Sequence, residues 1–428
     1  AAEAAGVDAV NVTGGWHETN VPQLTANVPA GGFVYLARGI KEAVSVPVFA
    51  SNRLGDPYVA ERALRSGSCD MICWGRPLLA DPHLPRKVRD GRLGEIIPCI
   101  SCNQGCFDAI FSGTPVTCIL NPMTGSEGYY RVEKTATPKR ILVAGGGPGG
   151  MEFAIMAAQR GHRITLFEKQ DRLGGQVNLA AVPPGKQELL RLVSSMKDRR
   201  DLLGVEVVLN TVLTPERVSE EGAELVVVAT GATPIDLKVP GADMPHVQDA
   251  WDVLSGKAWD IGRDVVVVGG SATGCETAHF IAAMDVPDPD TYTFLMLHGA
   301  EDGEYATALL RASGRRVTVI DMVPRLADNV GRTARWSLIK SLNLLGVNLR
   351  PNTTLKEIQE DRVRVKTADG EETIAADTVV MAVGVRSNRS LSDTLKKTGI
   401  PVIEIGDAQG PGKITEAVRE GFIQALEA

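Results

Sequence analysis

Four cysteines stand close together in the first third of the chain, and their spacing is a strong indication of chemistry. Cys99, Cys102, Cys106 and Cys118 follow the pattern Cys-x2-Cys-x3-Cys-x11-Cys. Thiolates at this spacing can surround one cubane, each sulfur binding one iron, with the fourth ligand coming from further along the chain. Zinc is the alternative, but four-thiolate zinc sites more usually show two separated Cys-x2-Cys pairs. The pattern therefore predicts a [4Fe–4S] cluster.

The three other cysteines lie in different contexts. Cys69, Cys73 and Cys275 fall in predicted strands or helices, where an unligated cysteine behaves as a small apolar side chain. We expect them to be core residues. The odd total of seven cysteines also argues against the paired disulfide framework of a small secreted domain.

A glycine-rich turn follows the cysteine segment. Gly145-x-Gly147-x-x-Gly150 lies between a predicted strand and a predicted helix. In such a turn the backbone amides and the helix N-terminus can hold a pyrophosphate. Glu168 ends the next predicted strand, where a carboxylate accepts hydrogen bonds from a ribose diol. The combination predicts a dinucleotide-binding fold.

Three short segments further along the chain resemble the distributed elements of flavoprotein reductases that bind two dinucleotides. They are LGGQ, which ends at Gln176, VVVATGATP, which contains Gly231, and IGDA, which contains Asp407. In those reductases the late aspartate binds the ribityl or phosphate region of the flavin. Alone, Asp407 would be interpreted as a turn or helix-capping residue. Together the three segments indicate FAD.

A second glycine motif repeats the logic of the first. Gly269-x-Ser271-x-x-Gly274 follows another apolar strand, and serine in the middle position keeps the turn while narrowing the approach of a pyrophosphate. Asp321 ends the next predicted strand, where a carboxylate favours the free 2′-hydroxyl of NADH over the 2′-phosphate of NADPH. We predict an NAD(P)H site that prefers NADH; a solvated strand-end carboxylate is the alternative for Asp321.

The first 97 residues repeat a strand-and-helix pattern. Predicted strands at residues 9–12, 44–54 and 69–77 each end in a polar or glycine-rich loop. Such repeats are typical of part of a (β/α)8 barrel, whose active site lies at the C-terminal ends of the strands. Because a closed barrel has eight units, about five are expected upstream of residue 1.

Several residues at these strand ends are candidates for binding or catalysis. Arg53 follows one strand and Gly75-Arg76 follows the next, where backbone amides and guanidinium groups can bind a phosphate, as after the last two strands of many barrels. His17 lies just past the first strand and would face the same mouth. A lone histidine is more often structural than catalytic, so position is what favours His17.

The predicted fold class is therefore α/β: a partial (β/α)8 barrel followed by two Rossmann-like dinucleotide-binding domains. The predicted domain limits are 1–97 for the barrel piece, 98–137 for the cluster loop and linker, 138–234 with 389–428 for the FAD-binding domain, and 235–388 for the NAD(P)H-binding domain. A length of 428 residues fits two to four domains.

Charge and hydropathy exclude some partners. The net charge is -7 and the isoelectric point is about 5.6, without a basic run, which argues against binding of nucleic acid. The sequence has no apolar stretch near the ~20 residues that span a bilayer and no signal peptide, so we predict no membrane partner and a cytoplasmic location. The sequence is compatible with a homo-oligomer.

Over essentially its whole length the chain resembles the 2,4-dienoyl-CoA reductase and enoate reductase group of the Old Yellow Enzyme superfamily, relatives of trimethylamine dehydrogenase. The resemblance is carried by GGWHETNVPQLTANVPAGGFVYLARGIKEAVSVPVFASNRLGDP and by CISCNQGCFDAIFSGTPVTCILNP. It implies FMN in the barrel, a [4Fe–4S] cluster beside it, and FAD and NADH sites behind. It also implies roles for individual residues: His17 in assisting protonation, Arg53, Gly75 and Arg76 as FMN contacts, and the four clustered cysteines as cluster ligands.

One segment departs from the group. A helix-to-strand connection requires about two to six residues. The stretch between Ala283 and Arg315 is much longer than that. It resembles the insertion in the naphthoyl-CoA reductase branch, whose members reduce aromatic acyl-CoA thioesters. The substrate class therefore stays open among dienoyl, enoyl and aryl compounds.

The resemblance implies a relay in which electrons pass from NADH to FAD, to the cluster and to FMN, and reduce a C=C bond of an unsaturated acyl-CoA or enoate. Two alternatives stay open. One is an amine dehydrogenase of the trimethylamine dehydrogenase type. The other is a nucleotide-binding regulatory protein in which the cysteines hold a structural zinc.

Overall fold

The computed structural model describes residues 1–15 and 21–428. These residues divide into two compact units. The first comprises Ala1–Asn178, Gly185–Ala232 and Ser387–Ala428, and the second comprises Leu179–Pro184 and Thr233–Arg386. Two short strands, Ala232–Pro234 and Val385–Ser387, pair where the chain passes from one unit to the other. No helix among the described residues has both the length and the apolarity needed to cross a membrane.

The N-terminal segment of the first unit contains a three-stranded parallel sheet. Strands Val10–Val12, Val48–Ala50 and Met71–Ile72 pair in chain order. Helices Val34–Lys41 and Pro57–Arg65 lie between them in sequence and pack on the sheet through a small apolar core. The other short elements of this segment are Glu3–Ala5, Arg76–Ala80, Leu84–Arg89, Leu93–Glu95 and Phe107–Phe111.

The prediction of a partial (β/α)8 barrel was wrong. The sheet consists of three strands of three, three and two residues, and within the described ranges each outer strand pairs with a single neighbour. A barrel requires tilted strands that close on one another. After Met71–Ile72 the chain forms two short helices and enters the cysteine segment instead of another strand. The protein is an α/β chain whose two larger sheets belong to Rossmann-like dinucleotide-binding domains.

The first nucleotide fold is formed by residues 140–178, 185–228 and 390–427 of the first unit. Its five strands are parallel and lie in the order Val402–Glu404, Leu225–Val228, Arg140–Ala144, Arg163–Phe167 and Glu206–Val208. The central strands are continuous apolar runs because helices cover both faces of the sheet. These helices are Pro148–Gln159, Val177–Ala180, Leu189–Leu202, Pro215–Glu220, Ser390–Leu395 and Ile414–Glu427, with the 3-10 turn Gly406–Ala408.

The second nucleotide fold lies in the second unit. Its parallel sheet has the order Asn348–Arg350, Arg316–Ile320, Asp264–Val268, Thr378–Met381 and Val247–Asp249. An antiparallel sheet is inserted between its strands and consists of Thr354–Ile358, Arg362–Thr367 and Gly370–Ala375. The helices of this unit are Ala250–Ser255, Ala272–Ala282, Pro289–Leu297, Gly303–Leu309 and Arg332–Leu344.

The two folds position their glycine turns in the same way. In each, the strand before the turn is the middle strand of the sheet, and it pairs over five residues with a strand that is followed directly by an acid. The glycine turn and the acid therefore lie at the same edge of the sheet, at the carboxyl ends of neighbouring parallel strands. Dinucleotides bind at that edge in folds of this type.

Candidate functional site

The first glycine turn leads from the middle strand into helix Pro148–Gln159. Gly145 has a φ of +113°, and a Cβ there would collide with the carbonyl oxygen of Ala229. A Cβ on Gly150 would collide with the carbonyl oxygen of Gly145. Gly147 caps the helix in an extended conformation, and a Cβ there would meet nothing within 4 Å. Two glycines thus let the turn close, and the third leaves open space beside the first helix amides, as a bound pyrophosphate requires.

Glu168 is fixed beside this turn. It is 5% exposed, its Oε2 accepts a 2.7 Å hydrogen bond from the backbone amide of Gly146, and its Oε1 accepts a 2.9 Å bond from the amide of Gln170. Both bonds hold the carboxylate at the end of its strand. This is the position from which an acid binds the ribose of a dinucleotide.

Segments that are far apart in sequence meet next to the same turn. The backbone amide of Gly174 donates a 2.8 Å bond to the carbonyl oxygen of Gly146. Gln176 donates from Nε2 to Oδ2 of Asp407 at 2.8 Å, and a Cβ on Gly231 would lie 3.5 Å from that same Nε2. The structure therefore brings the three predicted flavin-binding segments together around one glycine turn.

The second glycine turn repeats this geometry in the second unit. Gly269 has a φ of +107°, and a Cβ on Gly274 would collide with the carbonyl oxygen of Gly269. Ser271 caps the following helix in an extended conformation. Asp321 accepts a 2.6 Å bond at Oδ2 from the amide of Gly270 and a 3.1 Å bond at Oδ1 from the amide of Val323. These contacts match those of Glu168 in the first fold.

Three arginines lie close to Asp321 in sequence, and each pairs with a carboxylate. Arg315 pairs with Asp285 and Arg316 pairs with Asp264. Arg325 lies 3.2 Å from Asp328, from Nε to Oδ1. Their positive charges are therefore already matched within the second unit.

The four clustered cysteines surround one cavity in the first unit. Its remaining lining is largely apolar and includes Leu79, Pro98, Ile100, Ile119 and Leu120. Two arms of the loop meet at Gly105, whose carbonyl oxygen accepts a 2.6 Å bond from the amide of Thr117. Ser101 and Asn103 adopt left-handed backbone conformations, with φ of +53° and +63°, which turn the chain tightly between the first cysteines.

Unless a positive charge lies nearby, the environment of these thiols disfavours the thiolate form. Burial raises the pKa of the Cys118 thiol to about 11 and also raises the pKa values of Cys102 and Cys106. A metal centre offsets this, because its positive charge stabilises bound thiolates. The donor set therefore suits a metal centre of soft, thiolate-binding character.

A single metal ion fits this arrangement poorly. Within residues 1–15 and 21–428, no group of three or more His, Cys, Asp or Glu side chains is arranged to hold one ion.

Arg53 lies in a buried polar network. Its Nε donates to the carbonyl oxygen of Val28 at 2.6 Å, Nη1 donates to Ser101 Oγ at 2.5 Å, and Nη2 lies 2.8 Å from Glu188 Oε1. Gly75 is the N-cap of the short helix that begins at Arg76. The assignment of these residues as FMN contacts stays a prediction. His17 lies outside the described residues.

The remaining cysteines were predicted to be core residues. Cys69 and Cys275 are buried, as expected. Cys73 is exposed, so the expectation was wrong there. Strand Met71–Ile72 ends before Cys73, and the residue follows the outer strand of the open three-stranded sheet.

Sequence reasoning missed residues that hold the site in place. Glu420, on the last helix, accepts a 2.6 Å hydrogen bond from the amide of Gly406, next to Asp407. Glu152, on the helix that follows the first glycine turn, and Arg199, on helix Leu189–Leu202, form a buried pair at 3.4 Å. A charged residue inside the apolar helix sequence GGMEFAIMAAQ was a usable signal for Glu152, whereas Glu420 had none.

A family model described as pyridine nucleotide-disulphide oxidoreductase matches residues 125–183 and 139–410. The chain belongs to this family. Among pyridine nucleotide-disulphide oxidoreductases, it corresponds to the FAD- and NAD-binding part of the Old Yellow Enzyme-type 2,4-dienoyl-CoA and enoate reductases, which confirms the predicted resemblance. The chain is thus an oxidoreductase of the NAD(P)H and FAD type. The match falls on the two nucleotide folds, in keeping with the correction of the barrel.

Known proteins are similar to this oxidoreductase over nearly its whole length. A metal reductase of Desulforamulus reducens is 42% identical, over 100% of this chain and 64% of the relative. A cinnamate reductase of Clostridium sporogenes is 31% identical, over 98% of this chain and 59% of the relative. A solved 2-naphthoyl-CoA reductase complex with 2-naphthoyl-CoA is 33% identical, with a TM-score of 0.88, over 100% of this chain and 61% of that chain. The chain spans about three fifths of these relatives.

Proposed function

We propose that this chain is the NADH-oxidising part of an iron–sulfur flavoprotein reductase. In it FAD, a [4Fe–4S] cluster and FMN carry electrons, in that order, to a C=C bond. The acceptor is a dienoyl, enoyl or aryl acyl-CoA thioester, or an enoate. Within the chain, the first nucleotide fold binds FAD and the second binds NADH.

The observation that carries this proposal is the cysteine cavity, which lies in the same compact unit as the first nucleotide fold. An iron–sulfur cluster bound by thiolates carries one electron at a time. A protein that places such a cluster in the unit that binds FAD is suited to divide a hydride equivalent into single electrons. The cysteine spacing, which lacks the two separated Cys-x2-Cys pairs typical of zinc sites, supports a cluster over a structural zinc.

The preference for NADH is supported by the charges around Asp321. Its carboxylate lies beside the second glycine turn and would repel a 2′-phosphate. Recognition of NADPH usually requires an arginine that is free to bind that phosphate. Arg315, Arg316 and Arg325 each lie beside an acid, which offsets part of their attraction for such a phosphate.

The substrate class is supported by the names of two relatives. One is called a cinnamate reductase and the other a 2-naphthoyl-CoA reductase. Both names describe reduction of a conjugated acid or its thioester. The long connection between Ala283 and Arg315 forms two helices, Pro289–Leu297 and Gly303–Leu309, and its likeness to the naphthoyl-CoA reductase branch favours an aryl substrate.

Anaerobic purification followed by iron, sulfide, zinc and flavin analysis tests the proposal. We expect four irons, four sulfides and one FAD per chain, with the flavin absorption bleached by NADH faster than by NADPH. NADH should drive reduction of an artificial acceptor such as ferricyanide. Enoyl reduction by these residues alone should be absent, since they span about three fifths of the relatives that are named as reductases.

A Cys118→Ser variant provides the matched control. It should lose the cluster absorption while keeping FAD and its reduction by NADH, because Cys118 lies outside both nucleotide folds. Zinc in place of iron in the unmodified chain would contradict the proposal and favour the regulatory alternative. Bound FAD that NADH fails to reduce would favour the amine dehydrogenase alternative.

A further inference from the structure

Arg76 faces the cysteine cavity. Arg76 and the four cysteines line the same cavity. The guanidinium carbon of Arg76 lies 5.7 Å from the ring centroid of Phe107, the residue that follows Cys106 in the sequence. Its Nη1 donates to Oδ1 of Asn103 and to the carbonyl oxygen of Leu24, both at 2.6 Å. These contacts fix the cation in position beside the cysteine loop.

None of these contacts supplies a negative charge. In the part of the chain that the structure describes, Arg76 is bound by an amide oxygen, a carbonyl oxygen and an aromatic ring. Nearby buried cations differ, since Arg53 pairs with Glu188 and Lys87 pairs with Asp81. A partly buried cation is costly unless an anion matches it. Arg76 lines the cavity that the four cysteines share, so thiolates bound to a cluster there would place negative charge beside it.

The position of Arg76 suits an electrostatic role. Its side chain lines the same cavity as the four cysteines, so the guanidinium can stabilise negative charge that is held there. Arginine keeps its charge throughout the physiological pH range, so this effect is permanent.

We propose that Arg76 raises the reduction potential of the cluster held by these cysteines, an inference that rests on the proposed function. When one electron passes from reduced FAD to the cluster, the four-thiolate centre becomes more negative by one charge. A fixed cation beside that centre favours the reduced state. Arg76 would thus tune the potential of the cluster, in addition to any contact it makes with the phosphate of FMN.

The test is a redox titration of the anaerobically purified 428-residue chain, followed by electron paramagnetic resonance of the reduced cluster. In Arg76→Gln we expect the ratio of reduced to oxidised cluster at a fixed potential to fall about tenfold. That change equals 59 mV for a one-electron couple. Arg76→Lys keeps the charge and should retain most of the potential. The exposed Arg86 is the matched control, and Arg86→Gln should leave the potential unchanged.

Iron and sulfide content separates the possible outcomes. An unchanged potential in an Arg76→Gln variant with full iron content would overturn the inference. So would loss of the cluster in both Arg76 variants, since Arg76 would then be required for assembly instead. Loss in the Gln variant alone, with a native potential in the Lys variant, would support it. Absence of iron from the unmodified chain would refute the proposed function itself.

Discussion

Gln176 and Asp407 lie 231 positions apart in the chain, yet Nε2 of Gln176 donates a 2.8 Å hydrogen bond to Oδ2 of Asp407. The other carboxylate oxygen of Asp407 accepts a 2.9 Å bond from the amide of Gly412. An ionised carboxylate has about four acceptor positions, so Asp407 keeps capacity for a ligand. Through this contact the carboxyl end of the last strand meets the loop that follows Glu168.

Asp407→Ala should weaken FAD binding. The substitution removes a carboxylate that anchors the Gln176 loop and that would accept hydrogen bonds from the flavin. Hydrogen bonds to charged groups contribute about 1.5–3 kcal/mol each, so the Kd for FAD should rise at least tenfold. Fluorescence titration of the apoprotein with FAD measures this. Asp393→Asn, on the exposed side of helix Ser390–Leu395, is the control; equal Kd values for the two variants would make Asp407 a turn residue only.

Asp321→Asn should shift the choice of nicotinamide nucleotide. The substitution removes the charge that repels a 2′-phosphate and weakens the acceptor for the ribose hydroxyls. We expect kcat/KM for NADH to fall about tenfold and that for NADPH to rise. Steady-state ferricyanide reduction with each nucleotide checks both numbers.

Glu168→Gln is the matched comparison for Asp321→Asn, since both acids accept a hydrogen bond from the second glycine amide of their turns. It should lower FAD retention and leave the ratio of NADH to NADPH activity unchanged in the fraction that keeps FAD. If Glu168→Gln alone altered nucleotide preference, the assignment of the two folds would have to be exchanged.

The parts of this molecule that were predictable from sequence are encoded locally. The strand, glycine turn and helix around Gly145 and around Gly269 occupy about thirty residues each, and steric demands on the turn select the glycines. The cysteine spacing is similarly local. Asp407 was predictable only through the resemblance of its segment to other reductases. Its partner Gln176 is too distant in sequence for any local pattern to indicate their contact.

The failures arise from long-range pairing. A strand followed by a helix has the same local pattern in a closed barrel and in an open sheet, and only the pairing of the outer strands distinguishes them. The first 97 residues therefore resembled a barrel while forming a three-stranded sheet. Arg53 likewise donates a hydrogen bond to Glu188, which lies 135 positions away in the chain. No sequence pattern near either residue indicates this contact.

Gly147→Ala should separate folding from cofactor binding. A Cβ at Gly147 would meet nothing within 4 Å, and its φ of -72° suits alanine. The apoprotein should therefore keep its thermal stability, while FAD binding falls because the methyl group takes the space of the pyrophosphate. FAD titration and thermal denaturation of the apoprotein measure the two effects.

Two further glycine variants bracket that result. Gly150→Ala should destabilise the apoprotein itself, because its Cβ would collide with the carbonyl oxygen of Gly145. Gly128→Ala lies in an exposed linker with no atom near its Cβ and should change neither property. Normal FAD binding in Gly147→Ala would show that the pyrophosphate lies elsewhere.

Arg199→Met should destabilise the first nucleotide fold strongly. Glu152 is 1% exposed, and its carboxylate lies 3.4 Å from Nη1 of Arg199. Removing one partner of a buried ion pair costs about 3–5 kcal/mol, since the other charge is left uncompensated. Glu152→Gln combined with Arg199→Met should recover most of that loss. Thermal denaturation of the apoproteins tests this, with Arg38→Met in the exposed Arg38–Glu42 pair as a control that costs under about 1 kcal/mol.

The loss in Arg199→Met should also depend on pH. Burial raises the pKa of Glu152 above its ordinary value of 4.5, and Arg199 opposes that rise. Without Arg199 the folded-state pKa rises further, so the folded protein binds a proton that the unfolded chain releases. An acid with a raised pKa costs stability when the pH exceeds the unfolded value, and the cost vanishes as the pH falls below it. The deficit of Arg199→Met relative to the unmodified chain should therefore be smaller near pH 5 than near pH 8, and a deficit that grows on acidification would show that Glu152 is not the group left uncompensated.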